Sequence, residues 1–202
     1  MKRLMIPALA PLLLFVACEQ KTAAPAAPTE TTEERTVATP ANSTTTETAF
    51  QHDPAIELTG FYFTQTPVQA GNWKLTSLDI GQPSDFADWE AGKRIETYAP
   101  IFLAFDDVTS PTAENELGQT YHKVSLRLLP DGYSVDGKTV RYHASDKRLG
   151  EVVLELYPDM AAYKKARSSG PNDGVQKPVF TGSLQIGAER IRNLSFSYHP
   201  GE

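Results

Sequence analysis

The stretch VRYHASDKRLGEVVLELY, residues 140–157, decides the fold class. Val140 and Tyr142 alternate with Arg141 and His143. Val152, Leu154 and Leu156 alternate with Glu151, Val153 and Glu155. A period of two places successive side chains on opposite faces of a strand, so each run predicts a strand with one face in a core. Asp146 to Gly150 lies between them and predicts the turn that joins them.

The same pattern continues in both directions. Downstream, Phe180, Leu184 and Ile186 form one set, and Leu194, Phe196 and Tyr198 another. Upstream, Val124, Leu126 and Leu128 share a face opposite Lys123, Ser125 and Arg127. Ile101, Leu103 and Phe105 alternate with Phe102 and Ala104, which predicts a strand buried on both faces. Asn72–Leu78 carries Trp73 and Leu75 on one face. Ile56–Thr64 predicts a strand with a bulge at Gly60, where the apolar phase shifts. Pro130-Asp131-Gly132 and Asp136-Gly137 suit tight hairpins.

Two short helices interrupt the strands. One spans Ser84–Ala91, capped by Ser84 and stopped near Gly92, with Phe86 and Trp89 on one face. The other spans Met160–Ser168, with Asp159 as N-cap, basic residues at its C-terminal end and Gly170 to end it. About eight strands with few helices predict a mainly β domain, an antiparallel β-sandwich or a small β-barrel. The pattern leaves both open. A barrel with an interior cavity would hold a ligand, whereas a packed sandwich would offer only loops and surfaces.

The folded domain covers residues 51–202. The preceding segment, 18–50, is rich in Thr, Ala, Pro and Glu and almost devoid of large apolar residues, so it cannot build a core. It reads as a disordered tether, with an end-to-end distance of roughly 30 Å by random-coil scaling. Before it, Lys2 and Arg3 precede a charge-free run from Leu4 to Ala17 that is too short to span a bilayer and contains Pro7 and Pro11. That anatomy predicts an export signal over 1–17.

The signal ends in Phe15-Val16-Ala17-Cys18. Val16, Ala17 and Cys18 resemble the lipobox of bacterial lipoproteins, with Phe15 where Leu is usual. The resemblance covers residues 1–18 only. It implies cleavage before Cys18, a diacylglycerol thioether on its sulfur, and acylation of the new amino group. A lipid anchor with two or more chains would hold the protein on a membrane for a long time. Glu19 at the following position, by the same resemblance, points to the outer membrane, with the domain facing the periplasm.

Cys18 is the single cysteine of the 202 residues. With lipid on it, disulfides, a cysteine nucleophile and cysteine-containing zinc sites are all excluded from the domain. No G-x-S-x-G, H-E-x-x-H, Walker, G-x-G-x-x-G or EF-hand pattern occurs. The sequence therefore predicts no enzyme and no cofactor. Three histidines follow tyrosines, at His122, His143 and His199, but alternation sends His122 and His143 to different kinds of face, away from a shared metal geometry. Asp106, Asp107, Glu114 and Glu116 form an acidic loop whose oxygens suit calcium in type but not in spacing.

Charge is unevenly spread. Residues 51–120 hold 3 basic and 11 acidic side chains, and residues 121–202 hold 12 basic and 9 acidic. Either the two halves interleave and their charges pair, or Lys123, Arg127, Arg141, Lys147, Arg148, Lys164, Lys165 and Arg167 form a basic patch. Such a patch would meet an envelope protein or an anionic envelope polymer. Nucleic acid is an improbable partner for an exported acidic chain. The sequence thus predicts a cell-envelope lipoprotein whose domain is a non-enzymatic binding module. The alternative is a carrier of a small molecule or lipid in a barrel cavity.

Overall fold

The structure, a computed structural model, describes residues 49–169 and 177–200. The signal, Cys18, nearly all of the tether and Gly170 lie outside the described residues. Thirteen strands and two helices follow one another in the order β1 (Phe50–His52), β2 (Gly60–Thr64), β3 (Gln69–Ala70), β4 (Trp73–Ile80), α1 (Pro83–Glu90), β5 (Ile101–Asp107), β6 (Thr112–Glu114), β7 (Thr120–His122), β8 (Ser125–Leu128), β9 (Gly132–Val135), β10 (Val140–Asp146), β11 (Gly150–Pro158), α2 (Met160–Ser168), β12 (Phe180–Ile186) and β13 (Glu189–His199). Eleven strands form one sheet in the spatial order β1-β9-β10-β11-β12-β13-β2-β4-β5-β8, with β3 beside β4. The pair β6–β7 is a separate hairpin. The sheet curls into a half-barrel, so the domain is mainly β, as the alternation predicts. Pairing is antiparallel except between β1 and β9, which run parallel.

The hairpin that decides the fold class is present in register, Val140 opposite Leu156 through to Asp146 opposite Gly150. Its turn is closed by Asp146, whose carboxylate accepts from the Arg148 backbone N–H and from Arg148 Nε, both at 2.8 Å. Asp136 organises the β9–β10 turn likewise, accepting from the N–H groups of Lys138 and Thr139. Pro130-Asp131-Gly132 is different. It joins β8, at one end of the sheet, to β9, next to the strand at the other end, rather than linking strands that lie side by side. The local turn chemistry is right for a hairpin, but β8 pairs with β5 and β9 with β1 and β10, so the chain crosses the mouth of the half-barrel instead.

Side chains on the inner face fill the curl. Tyr62, Leu78, Leu103 and Leu128 form a continuous cross-strand row over β2, β4, β5 and β8, and all are buried. From the other arm come Tyr142, Leu154, Leu184 and Phe196, also buried. The Tyr142 hydroxyl donates to the Leu128 carbonyl at 2.7 Å, tying β10 to β8 across the mouth. Tyr142→Phe should remove this tie and leave a carbonyl oxygen short of a donor in a dry interior, costing about 1–3 kcal/mol. Urea titration should show a lower midpoint at unchanged slope. An unchanged midpoint would mean that the tie contributes nothing.

The helices pack against the sheet, α1 beside β1 and α2 beside β13. α1 begins two residues earlier than the Ser84 cap predicts. Gln82 is its N-cap, Pro83 takes the first helical position where no N–H is needed, and Asp85 completes a capping box. Its Phe86 and Trp89 are buried. Phe86 stacks on His52 at 4.1 Å, and burial lowers the His52 pKa. Phe50, which composition assigns to the tether, packs edge-on against Tyr133 and Trp89, with the Arg94 guanidinium 4.2 Å above its ring. α2 has the expected Asp159 cap, with the carboxylate accepting from Ala161 and Ala162 N–H groups. It docks through Tyr163, whose ring meets Tyr198 at 5.4 Å and whose hydroxyl donates to the Thr59 carbonyl at 3.1 Å.

Strand boundaries and bulges shift from expectation. β2 starts at Gly60 rather than Ile56 and shows no register shift there. The register shifts instead at Leu75/Ser77 in β4 and at Gly182/Leu184 in β12. The first of these matters for the site below.

Candidate functional site

Leu75 and Leu78 are three residues apart, yet both are buried, and they lie opposite the inward-facing Phe105 and Leu103. A strand of period two cannot place both on one face without an extra residue. The bulge at Thr76 supplies it and reverses the phase of everything after it. Ser77 and Asp79 therefore point to the outer face. There Asp79 sits between Phe61 of β2 and Phe102 of β5, and His199 of β13 lies opposite Phe61.

This row opens into a cleft of about 510 Å³, where the start of β2, the end of β4, the start of β5 and the end of β13 meet. Asp79, Asp85, Tyr98, Phe102, Arg127 and Arg167 line it, with Phe61 and Tyr198 on its walls. Asp79 is the only charged residue counted as buried among those described, at 9% exposure. Ser77 Oγ donates to its Oδ2 at 2.5 Å. Among the described residues no protein donor reaches Oδ1, and no ion pair forms within 4 Å. Burial raises the Asp79 pKa above the ordinary carboxylate value, against the pull of Ser77 and Arg127.

The remaining lining groups are held in place. Asp85 Oδ2 accepts from the Gln82 backbone N–H at 2.8 Å and from the Tyr98 hydroxyl at 3.2 Å, so it is tied up as a helix cap. Burial, then the Asp85 carboxylate, push Tyr98 up to about 12. Arg127 leans over the Phe102 ring at 5.6 Å and has one long contact, 3.5 Å, to the Thr97 carbonyl. Arg167 reaches the cleft from α2 and pairs with Glu57.

Of the eight basic residues singled out by charge, only Arg127 and Arg167 line this cleft. Arg141 pairs with Glu155 across β10–β11, and Arg148 pairs with Asp146 while its guanidinium stands 5.0 Å from the Trp73 ring. Lys147 is exposed in the β10–β11 turn, Lys123 is exposed just before β8, and Lys164 and Lys165 are exposed on α2. Three of the arginines thus meet carboxylates. Charge run alone missed Asp79 and Phe61. The signal that finds them is the three-residue gap between Leu75 and Leu78.

No protein-family model matches the chain. Neither a curated protein nor a solved structure is significantly similar to it.

The histidines stay apart in role. His143 Nε2 lies 3.3 Å from Glu151, His122 sits in the β6–β7 hairpin, and His199 packs edge-on against Phe63. Among the described residues no three His, Asp or Glu side chains converge as a metal site. In the acidic loop, the Asp107 carboxylate accepts from Thr109 N–H and hydroxyl, and these bonds lower its pKa.

The raised Asp79 pKa has a stability consequence. The folded state holds the Asp79 proton to a higher pH than the unfolded chain does. Stability therefore falls as pH rises from the ordinary carboxylate value through the raised one, and stays lower above it. Asp79→Asn should remove that cost, keeping an oxygen for Ser77. Its melting temperature at pH 7 should lie at or above that of the parent, and the difference should shrink in acid. A large drop at pH 7 would mean that ionised Asp79 stabilises the fold.

Proposed function

We propose that this chain is a lipid-anchored protein of the bacterial cell envelope, whose β domain is a non-enzymatic binding module facing the periplasm from the outer membrane. The signal anatomy and the lipobox resemblance at Val16-Ala17-Cys18 support the anchor. The observation that carries the binding reading is the contrast between the two faces of the sheet. The inner face, where a carrier would hold its cargo, is occupied by buried Tyr62, Leu78, Leu103 and Tyr142. The outer cleft instead holds a carboxylate, Asp79, with one oxygen bonded to Ser77 and the other open to the cleft.

A hydrolytic reading has one observation in its favour, two carboxylates in one cleft with Asp79 shifted upward. Against it, Asp85 is engaged by Gln82 and Tyr98 as a cap, which leaves one free carboxylate rather than an acid–base pair.

Cys18→Ser should move the protein from the membrane to the soluble fraction and abolish the mobility change on globomycin treatment. If neither fractionation nor mobility changes, the anchor is wrong. Crosslinking in intact cells should then capture an envelope component on the wild-type chain.

A further inference from the structure

Asp79 is 9% exposed, accepts one hydrogen bond from Ser77 and forms no ion pair among the described residues. The cleft around it is charge-balanced, with Asp79 and Asp85 against Arg127 and Arg167, which disfavours both polyanions and polycations. Its open groups are an acceptor and a donor. Asp79 Oδ1 can only accept when ionised, and the Arg127 guanidinium can only donate. A vicinal pair of hydroxyls is donor and acceptor at once and suits both. On the wall of the cleft, Phe61 keeps 43% of its surface exposed, although Asp79 opposite it and Phe102 on the next strand are buried. An exposed ring on a rigid strand offers a flat apolar face at little entropic cost. About 510 Å³ is a volume for a small ligand or a short segment of polymer, not for a protein surface.

We propose that this cleft binds the glycan of the cell wall. Phe61 stacks on the C–H face of a pyranose, while Asp79 Oδ1 and Arg127 hydrogen-bond neighbouring hydroxyls. The proposal rests on the envelope-module reading and names the component that the module holds. The site is preorganised, because Phe61, Asp79, Phe102 and Arg127 stand on four adjacent strands, β2, β4, β5 and β8. The Thr76 bulge aims Asp79 outward.

The test uses the mature chain and purified peptidoglycan sacculi in a co-sedimentation assay, with tetra-N-acetylchitotetraose as soluble competitor. The parent should sediment with sacculi, and the tetrasaccharide should release it. Phe61→Ala, Asp79→Asn and Arg127→Gln should each weaken binding about tenfold or more, the scale of one lost charge-assisted hydrogen bond or stacking contact. Arg141→Gln, on β10 and paired with Glu155, should bind like the parent. Binding should persist at about 0.5 M salt, where attraction to an anionic polymer is screened. Absence of sedimentation, equal binding by all four variants, or loss of binding at high salt would each overturn the glycan. If sedimentation fails while in-cell crosslinking still captures an envelope protein, the glycan falls and the binding module stands. If both fail, the module falls too. Release of reducing ends from sacculi would overturn the non-enzymatic reading and leave glycan recognition standing.

Discussion

Gly182→Ala should be the most damaging single-methyl change in the domain. A Cβ built on Gly182 lies 2.0 Å from the Glu155 carbonyl oxygen and 2.9 Å from Leu156 Cα. Both are backbone atoms of β11, the neighbouring strand, so no side chain can swing aside. Gly182 sits opposite Leu156 on one side and Leu194 on the other, immediately before the register shift in β12. The bulge bends β12 so that its backbone presses on β11 where a side chain would stand. Relief requires β11 and β12 to separate in the middle of the sheet. Overpacking in a core costs typically 1–3 kcal/mol, and a backbone clash belongs at or beyond the top of that range, about 3 kcal/mol. For a domain of about 150 residues that is roughly 10 °C in melting temperature. Ser183→Ala, one residue on, should melt close to the parent. A Gly182→Ala protein that melts within about 2 °C of the parent would contradict the close approach.

The position of Gly182 also shows where the sequence stops being legible. Alternation finds the strands around residues 140–157 and 180–198, because one buried face imposes its period on the composition. The same logic yields Phe86 and Trp89 on α1 and the Asp159 cap of α2, since both depend on neighbours in sequence. Spatial order is a different matter. Nothing local separates Pro130-Asp131-Gly132, which crosses the mouth, from Asp136-Gly137, which closes a hairpin. The choice is made by which strands are already paired, through β5 for β8 and β10 for β9. The parallel β1 is unpredictable for the same reason: Phe50-Gln51-His52 has no pattern of its own and is held by Trp89, Tyr133 and Arg94. The site was half legible. Arg127 and Arg167 stand out as charges, whereas Asp79 emerges only when the three-residue spacing of Leu75 and Leu78 is taken as a bulge.

Gly60→Ala should be the second large effect, and it tests stability and site together. Gly60 has φ +149°, a conformation that side chains rarely adopt, and its Cβ would lie 2.3 Å from Tyr198 Cε2. The Tyr198 ring lies against this bare backbone and meets Tyr62 and Tyr163 edge-on, so it couples β2, β13 and α2. Backbone strain of about 1–3 kcal/mol and displacement of the ring combine to roughly 2–4 kcal/mol. The two contributions separate in a double-mutant cycle with Tyr198→Leu. If the ring clash matters, Gly60→Ala should cost less in the Tyr198→Leu background, and the remainder is the backbone's share. Equal cost in both backgrounds would place the whole effect in the backbone. The ring also sets the wall of the cleft and the stance of α2, from which Arg167 reaches it. Gly60→Ala should therefore weaken ligand binding even below its melting transition. A variant that is destabilised but binds as the parent does would show that Tyr198 supports the fold without shaping the site.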